Sequence, residues 1–208
     1  VAQSPLRETL SKWEHYRQML LTIGIAIING VGYYVLLAYM PTYLSEELGF
    51  ETSDAFLSLT IAIVILLAVM PFMAALSDRI GRKPVLGGAC IGFLVLSYPC
   101  FLLISQGGLL NATLGQILLG ILVASFSGIA HATLTELFPT RVRFSGYGIA
   151  YNISTAAFGG TAPFLMTYLV GTMGNTFAPA LYIMAAALLS LVTVLTIRES
   201  AKVPLRDV

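Results

Sequence analysis

The charged residues of this chain are confined to short stretches that separate four long uncharged runs. No Asp, Glu, Lys or Arg occurs in residues 18–45, 55–77, 84–135 or 144–197. A helix that crosses a bilayer needs about 20 mostly apolar residues, so the first two runs each hold one such helix and the last two each hold two. Only 10% of the residues are charged, against about 25% in an average soluble domain. This excludes a soluble globular fold.

Turn residues at 105–108 (SQGG) and 171–175 (GTMGN) divide the two longest runs. The sequence therefore predicts an all-α membrane protein with six transmembrane helices within residues 18–197. Their predicted bounds are 18–43, 55–77, 84–105, 112–135, 144–170 and 177–197. Residues 1–17 are predicted to form either a cytoplasmic linker or a short interfacial helix with Leu6, Leu10 and Trp13 on one face. Residues 198–208 are predicted to form a cytoplasmic tail.

The basic residues predict how the bundle is oriented. All 11 Lys and Arg lie before the first predicted helix, between the second and third, between the fourth and fifth, or after the sixth. The other three connections contain none, and the first of them, residues 46–54, is acidic. Since cytoplasmic loops of membrane proteins carry an excess of Lys and Arg, both termini are predicted to be cytoplasmic.

Composition argues against several other functions. The net charge is +1 and no basic block with interleaved aromatic residues occurs, so we expect no nucleic-acid partner. Cys90 and Cys100 lie inside one apolar run and are typical of small buried hydrophobic residues, so neither a disulfide nor a metal site is expected. Val1 is not an initiator Met, and no signal peptide precedes the first apolar run. We therefore expect the chain to be a piece of a longer protein.

Polar residues inside the predicted helices are candidates for function, because polar groups are costly in a bilayer. Asn29 and Tyr33 share a face of the first helix. They either line an aqueous cavity, where the ring attracts a cationic group, or bond to neighbouring helices. His131 is the only His, Asp, Glu, Lys or Arg within the predicted helices. It is either a proton relay or substrate group, or a packing residue bonded to a nearby carbonyl.

Ser127 and His131 lie four residues apart on the fourth helix and share a face. This spacing raises the possibility of an intramembrane serine protease. However, Ser127 lies in mid-helix, where its backbone amide is already committed, and a catalytic base usually approaches from a different element. We therefore expect no enzymatic activity and keep both residues as candidates for a substrate cavity.

The fifth and sixth predicted helices differ in composition. The fifth is rich in small residues, so it is predicted to be buried against other helices, with a bend near Gly159, Gly160 and Pro163. The sixth consists mostly of Ala, Leu, Val and Ile with a few hydroxyl residues, among them Ser190. It is predicted to face lipid.

The charged connection between the second and third helices, residues 74–83 (AALSDRIGRK), resembles the G-x-x-x-D-R-x-G-R-R/K loop of the major facilitator superfamily. Ala74 replaces the first Gly of that pattern. Gly81 permits a tight turn, and Asp78 is expected to bond either backbone amides or Arg82. The basic side chains are expected to hold the loop at the anionic inner leaflet. The predicted gate loop consists of Asp78, Arg79, Gly81, Arg82 and Lys83.

Three further stretches are similar to the carboxy-terminal half of the metabolite:proton symporter family, whose carriers for the osmolytes proline and betaine have the nearest pattern. They are 39–44 (YMPTYL), 136–146 (ELFPTRVRFSG) and 151–163, which begins YN and ends FGGTAP. The resemblance covers essentially the whole chain. The second stretch contains a further cytoplasmic loop with Glu136, Arg141 and Arg143.

The resemblance implies one half of a twelve-helix major facilitator fold in the bacterial inner membrane, working by alternating access. Its first and fourth helices would line the cavity, its third and sixth would face lipid, and its second and fifth would contact the amino-terminal six-helix half, with Asn152, Gly159 and Gly160 as candidates. Asp78 would act in a cytoplasmic latch. Membrane lipids and a small-molecule substrate are the other expected partners. No cofactor and no metal are expected, and the proton is the expected coupling ion.

The sequence is compatible with two classes of substrate. A zwitterionic osmolyte such as proline or betaine needs little fixed charge in the cavity, whereas a carboxylate such as 2-oxoglutarate, citrate or shikimate would need positive charge from the other half. A hypothesis from another class is a complete six-helix channel or scaffold that homodimerises.

Overall fold

The computed structural model describes residues 9–199 and 201. Within these residues lie six helices long and apolar enough to cross a membrane, and no strand, which confirms the predicted fold class. Most of the predicted amino-terminal segment and nearly all of the predicted tail lie outside the described residues. The helices are Trp13–Glu47 (α1), Thr52–Ile80 (α2), Arg82–Ser105 (α3), Leu109–Glu136 (α4), Arg143–Thr172 (α5) and Ala178–Thr196 (α6).

The six helices form two groups of three, α1–α3 and α4–α6, and the helices of one group pack against those of the other. The first helix of each group packs against the second and third helices of the other, so that α1 contacts α5 and α6 while α4 contacts α2 and α3. In addition, α1 contacts α4, and α3 contacts α6. This is the arrangement expected of two three-helix repeats. It makes α1 and α4 the most buried helices and leaves α2 and α5 the least buried, so α5 is less buried within this unit than its small residues predicted.

Glycines in α4 allow its backbone to approach that of α2. A Cβ atom added to Gly128 would lie 2.7 Å from the carbonyl oxygen of Met70, and one added to Gly120 would lie 3.3 Å from that of Ala62. In lipid, where apolar surface alone does not drive helices together, close backbone packing of this kind stabilises helix pairs. The α2–α4 pair therefore depends on Gly128.

Replacing Gly128 by alanine is expected to destabilise the protein by about 1–3 kcal/mol, because the backbone oxygen of Met70 cannot move aside as a side chain does. The matched control is Gly88→Ala in α3, where an added Cβ meets nothing within 4 Å. That variant should be neutral or slightly stabilising. The thermal unfolding midpoints of the two purified variants measure the difference, and equal shifts would contradict the prediction.

Both α1 and α5 contain wider, π-helical turns. In α1 these are Tyr34–Tyr39 and Tyr43–Glu47, on either side of Pro41, which has no backbone N–H to donate. In α5 the π-helical turn is Thr155–Gly160, where the bend was predicted. The hydroxyl of Tyr182 in α6 donates to the carbonyl oxygen of Phe158 within that turn, at 3.2 Å. Such turns are frequent at functional sites.

Candidate functional site

A buried hydrogen-bonded chain joins α1, α4 and α5. The hydroxyl of Ser127 donates to Oδ1 of Asn29 at 2.5 Å, and Nδ2 of Asn29 donates to the hydroxyl of Tyr151 at 3.1 Å. Asn29 is 2% exposed and Ser127 4%. Because an unpaired amide in such a place would lose its hydrogen bonds to water without replacement, these contacts hold the three helices in one arrangement.

Three rings continue this chain towards the end of the bundle where the basic residues lie. The ring centroid of Tyr151 lies 5.2 Å from that of His131 and 5.4 Å from that of Tyr147. Nδ1 of His131 is 2.7 Å from the hydroxyl oxygen of Tyr147, within hydrogen-bonding distance. The two tyrosine rings are half-buried, whereas His131 is exposed. We call Asn29, Ser127, His131, Tyr147 and Tyr151 the polar–aromatic cluster.

Helical spacing explains how the cluster forms. Ser127 and His131 lie four residues apart on α4, and Tyr147 and Tyr151 lie four residues apart on α5, so each pair shares a face. The structure brings these two faces together beside Asn29. Neither tyrosine was a predicted site residue. The signal that would have found them is a pair of tyrosines on the fifth helix with the same four-residue spacing as Ser127 and His131.

The structure shows what each candidate cavity residue contacts, and their role in a substrate cavity stays a prediction. Asn29 bonds to two other helices, as the packing interpretation expected, and Tyr33 is half-buried and packs against the core. His131 bonds to a tyrosine hydroxyl, not to a carbonyl as the packing interpretation expected. Ser127 donates to Asn29 and His131 bonds to Tyr147, so the two do not form a nucleophile–base pair.

The residues predicted to contact a second half are placed differently from one another. Asn152 and Gly160 are exposed, but Gly159 is buried within this six-helix unit. A Cβ atom on Gly159 would lie 3.1 Å from the carbonyl carbon of Gly30 and 2.9 Å from a ring carbon of Tyr34. Gly159 therefore serves the close approach of α5 to α1, which corrects its predicted position between halves.

Arg82 is the centre of the predicted gate loop. Its Nη1 lies 2.6 Å from the carboxylate of Asp78 and donates to the hydroxyl of Ser77 at 2.7 Å. Its Nη2 lies 3.5 Å from the carboxylate of Glu136 at the end of α4. Of the two partners expected for Asp78, the structure shows Arg82. Arg79 is exposed, although it lies in the same loop.

Glu199 and Lys83 tie the same loop to the end of α6. The carboxylate of Glu199 accepts from the backbone N–H groups of Arg82 and Lys83, at 2.8 and 3.0 Å. Nζ of Lys83 donates to the carbonyl oxygens of Leu195 and Ile197, at 2.7 and 2.9 Å. An anion thus lies at the start of α3 and a cation at the end of α6, which are the favourable ends of the two helix dipoles.

Gly81 permits this geometry, because its φ is +113° and an added Cβ would lie 2.7 Å from the carboxylate of Glu199. In the second loop, Nε of Arg143 donates to the carbonyl oxygen of Phe138 at 3.3 Å, while Arg141 is exposed. Sequence reasoning did not give Glu199 a role. The charges of this chain lie at helix ends, and Glu199 follows the last helix. That position is the signal that would have suggested a structural role for Glu199.

The polar–aromatic cluster offers hydroxyl, amide and imidazole groups together with aromatic faces, but no Asp, Glu, Lys or Arg. It can therefore hydrogen-bond a polar ligand and contact a cation through its rings without supplying a fixed charge. In the part of the chain that the structure describes, no group of three or more His, Cys, Asp or Glu is arranged to hold a metal ion. Cys90 and Cys100 are both buried free thiols.

Comparison with known proteins identifies the family. A model of the sugar (and other) transporter family matches residues 2–208. The chain is 36% identical over 192 residues to the glycine betaine/proline/ectoine/pipecolic acid transporter OusA of Dickeya dadantii, covering 92% of this chain and 38% of that protein. It is 36% identical over 195 residues to the proline/betaine transporter of Escherichia coli K12, covering 93% and 38%.

The ectoine/proline transporter ProP of Corynebacterium glutamicum is also 36% identical, over 191 residues that cover 92% of this chain and 38% of that protein. The chain thus spans 38% of the length of each of these relatives, which are named as transporters and not as enzymes. Together with the six apolar helices, these matches show a multi-pass membrane protein. The chain belongs to the sugar (and other) transporter family of the major facilitator superfamily.

Proposed function

We propose that this chain is one half of a secondary transporter that carries a zwitterionic osmolyte such as proline or betaine, by alternating access and in symport with protons. The observation that carries the proposal is the polar–aromatic cluster, which joins the two most buried helices, α1 and α4, to α5 and contains no fixed charge. The names of the relatives, which include proline, betaine and ectoine, support this substrate class.

The chemistry of the cluster suits a zwitterion better than a dicarboxylate. The rings of Tyr147, Tyr151 and His131 lie within 6.4 Å of one another and offer faces to a quaternary or secondary ammonium group. Hydroxyl groups of the same tyrosines can hydrogen-bond the single carboxylate of such a substrate. A dicarboxylate or tricarboxylate would need fixed positive charge, which none of these helices carries in its apolar span.

Alternating access requires a second six-helix half, and the burial pattern supports one. Since α2 and α5 are the least buried helices, they have the most surface left for a partner. In the proposal the exposed Asn152 and Gly160 of α5 contact that half. The basic end of the bundle faces the cytoplasm, following the positive-inside rule. There Arg82 pairs with Asp78 of its own loop and with Glu136 of α4, and in the proposal these pairs hold the gate loop against α4 in the closed inner gate.

Proton coupling needs a group that gains and loses a proton during transport. His131 is the only histidine within residues 18–197, and it is exposed beside Tyr147. In our proposal it relays protons between the cytoplasmic end and the substrate cavity, while the other half supplies a carboxylate near the bilayer centre.

Uptake of labelled proline, glycine betaine, citrate and 2-oxoglutarate by cells that express the intact protein tests the proposal. We expect uptake of proline and betaine that a protonophore abolishes, and background uptake of the two carboxylates. Transport of the carboxylates alone would contradict the substrate class. Zwitterion uptake that is insensitive to the proton gradient would contradict the coupling and leave the substrate class standing.

A further inference from the structure

Ser190, on the predicted lipid-facing helix α6, is fully buried against the backbone of α1. Its hydroxyl donates to the carbonyl oxygen of Gly24 at 2.8 Å and accepts from the backbone N–H of Ile28 at 3.1 Å. In a regular α-helix, the N–H of residue 28 bonds the carbonyl of residue 24. The Ser190 hydroxyl therefore bonds both members of one backbone pair in another helix. The face of α6 that carries Ser190 thus packs against α1, while other apolar residues of the helix, such as Leu188 and Leu195, are exposed.

Two neighbouring contacts hold the same segment of α1. The hydroxyl of Ser154 in α5 donates to the carbonyl oxygen of Ile23 at 2.9 Å. Thr193 of α6 lies directly against Gly24, where an added Cβ would come within 2.9 Å of the threonine methyl carbon. The missing side chain of Gly24 thus allows α6 to reach the α1 backbone. Residues 23–28 are held from two sides immediately before Asn29.

The contact of Ser190 differs from those of Ser125 and Thr193. Ser125 donates to the carbonyl oxygen of Ile121, and Thr193 donates to that of Leu189, each within its own helix. Ser190 instead bonds across 166 positions of sequence. A hydroxyl is both donor and acceptor, so the Ser190 hydroxyl can bond the N–H of Ile28 and the carbonyl oxygen of Gly24 at the same time.

We propose that Ser190 is a positioning residue for substrate binding, and that it acts through Asn29. Asn29 directly follows Ile28, and its amide must reach Ser127 on α4 and Tyr151 on α5 at once. By bonding Gly24 and Ile28, Ser190 fixes the position of the α1 backbone and so the direction in which the Asn29 side chain points. The proposal rests on the proposed function, because it assigns Asn29 to the substrate cavity.

A double-mutant cycle in the intact protein tests this mechanism. Ser190→Ala is expected to raise the KM for the transported zwitterion roughly tenfold and to change kcat less, as expected when a buried hydrogen-bonded network loses a member. In an Asn29→Ala background, Ser190→Ala should change KM by less than about twofold, since its effect passes through the residue already removed. Ser125→Ala, which removes a buried hydroxyl bonded within its own helix, is the matched control and should leave KM unchanged.

Additive effects of Ser190→Ala and Asn29→Ala on KM would overturn the proposal and leave the proposed function standing. An unchanged KM in Asn29→Ala, while zwitterion transport continues, would instead overturn the cavity assignment. A Ser190→Ala protein that no longer elutes as a monodisperse peak also counts against the proposal, because a positioning residue should leave the fold intact.

A second measurement does not depend on transport. In intact protein that carries Cys90→Ala and Cys100→Ala and has every other cysteine removed, the Asn29→Cys variant should react slowly with a maleimide, because position 29 is 2% exposed. Ser190→Ala is expected to raise that rate severalfold, and Ser125→Ala to leave it unchanged. Equal rates with and without the Ser190 hydroxyl would overturn the proposal, whatever the substrate proves to be.

Discussion

Replacing Asn29 by alanine is expected to lower kcat/KM for the transported zwitterion by about 10–100-fold. The substitution removes the acceptor for Ser127 and the donor to Tyr151, so two polar groups on different helices lose their partner in a buried site. Because Tyr151 is only half-buried, we expect the two losses together to cost about 1–3 kcal/mol, and about 1.4 kcal/mol corresponds to a tenfold change. Initial rates of labelled proline uptake, in cells with matched amounts of protein, measure the effect.

Asn111→Ala is the control for this prediction. Asn111 has the same side chain, but its amide donates to the carbonyl oxygen of Gly107 within the turn that precedes α4, at 2.9 Å. Its removal should change uptake by less than about twofold, because no second helix loses a partner. Similar losses in both variants would show that uptake is sensitive to any asparagine of the bundle, and would remove Asn29 from the cavity.

Replacing Arg82 by methionine is expected to reduce uptake about tenfold and to lower the free energy of unfolding by about 1–3 kcal/mol. The guanidinium contacts the carboxylates of Asp78 and Glu136, and its side chain is only 16% exposed. Without it, the half-buried Glu136 and the exposed Asp78 both lose their contact with this cation. Removing one partner from a fully buried pair costs about 3–5 kcal/mol, and partial exposure reduces that loss. Uptake assays and thermal unfolding of the purified variant measure the two effects.

Arg79→Met removes the same charge from the same loop, but the Arg79 side chain is exposed. Surface charges of this kind contribute about 0–1 kcal/mol, so we expect nearly unchanged uptake and stability. If Arg79→Met and Arg82→Met behaved alike, the net charge of the loop would matter and the contacts of Arg82 would not. Equal behaviour of the two variants is the result that attraction of the loop to anionic lipid would give by itself.

The membrane-spanning helices were predictable from the sequence because the bilayer acts on each segment separately. A charge is costly anywhere in the hydrocarbon core, so the uncharged runs mark the spans without knowledge of their neighbours. Helix bounds were less predictable. The structure starts α1 at Trp13 and not at residue 18, because a helix can continue beyond the hydrocarbon region into a segment with charged residues, and Trp13 is 79% exposed there.

The pairing of polar side chains was not predictable in the same way. Helical spacing showed that Ser127 and His131 share a face, but it could not show that this face meets Tyr147 and Tyr151 on α5. The bonds of Ser127 and Tyr151 to Asn29 cross 98 and 122 positions of sequence. Periodicity predicts which side of a helix is polar. Which other helix contacts that side depends on how all six helices pack.

The sequence by itself determined the number of membrane spans, the end of the bundle that carries the basic residues, and the tight turn at Gly81. Each of these depends on local composition or on one residue's backbone freedom. Only the tertiary structure decided that Ser190 bonds the α1 backbone, that Glu199 holds the start of α3, and that Gly159 packs inside this unit. The physical reason is that these contacts exist only where two helix backbones approach closely, and that approach depends on glycines on one helix and hydroxyl or charged groups on another.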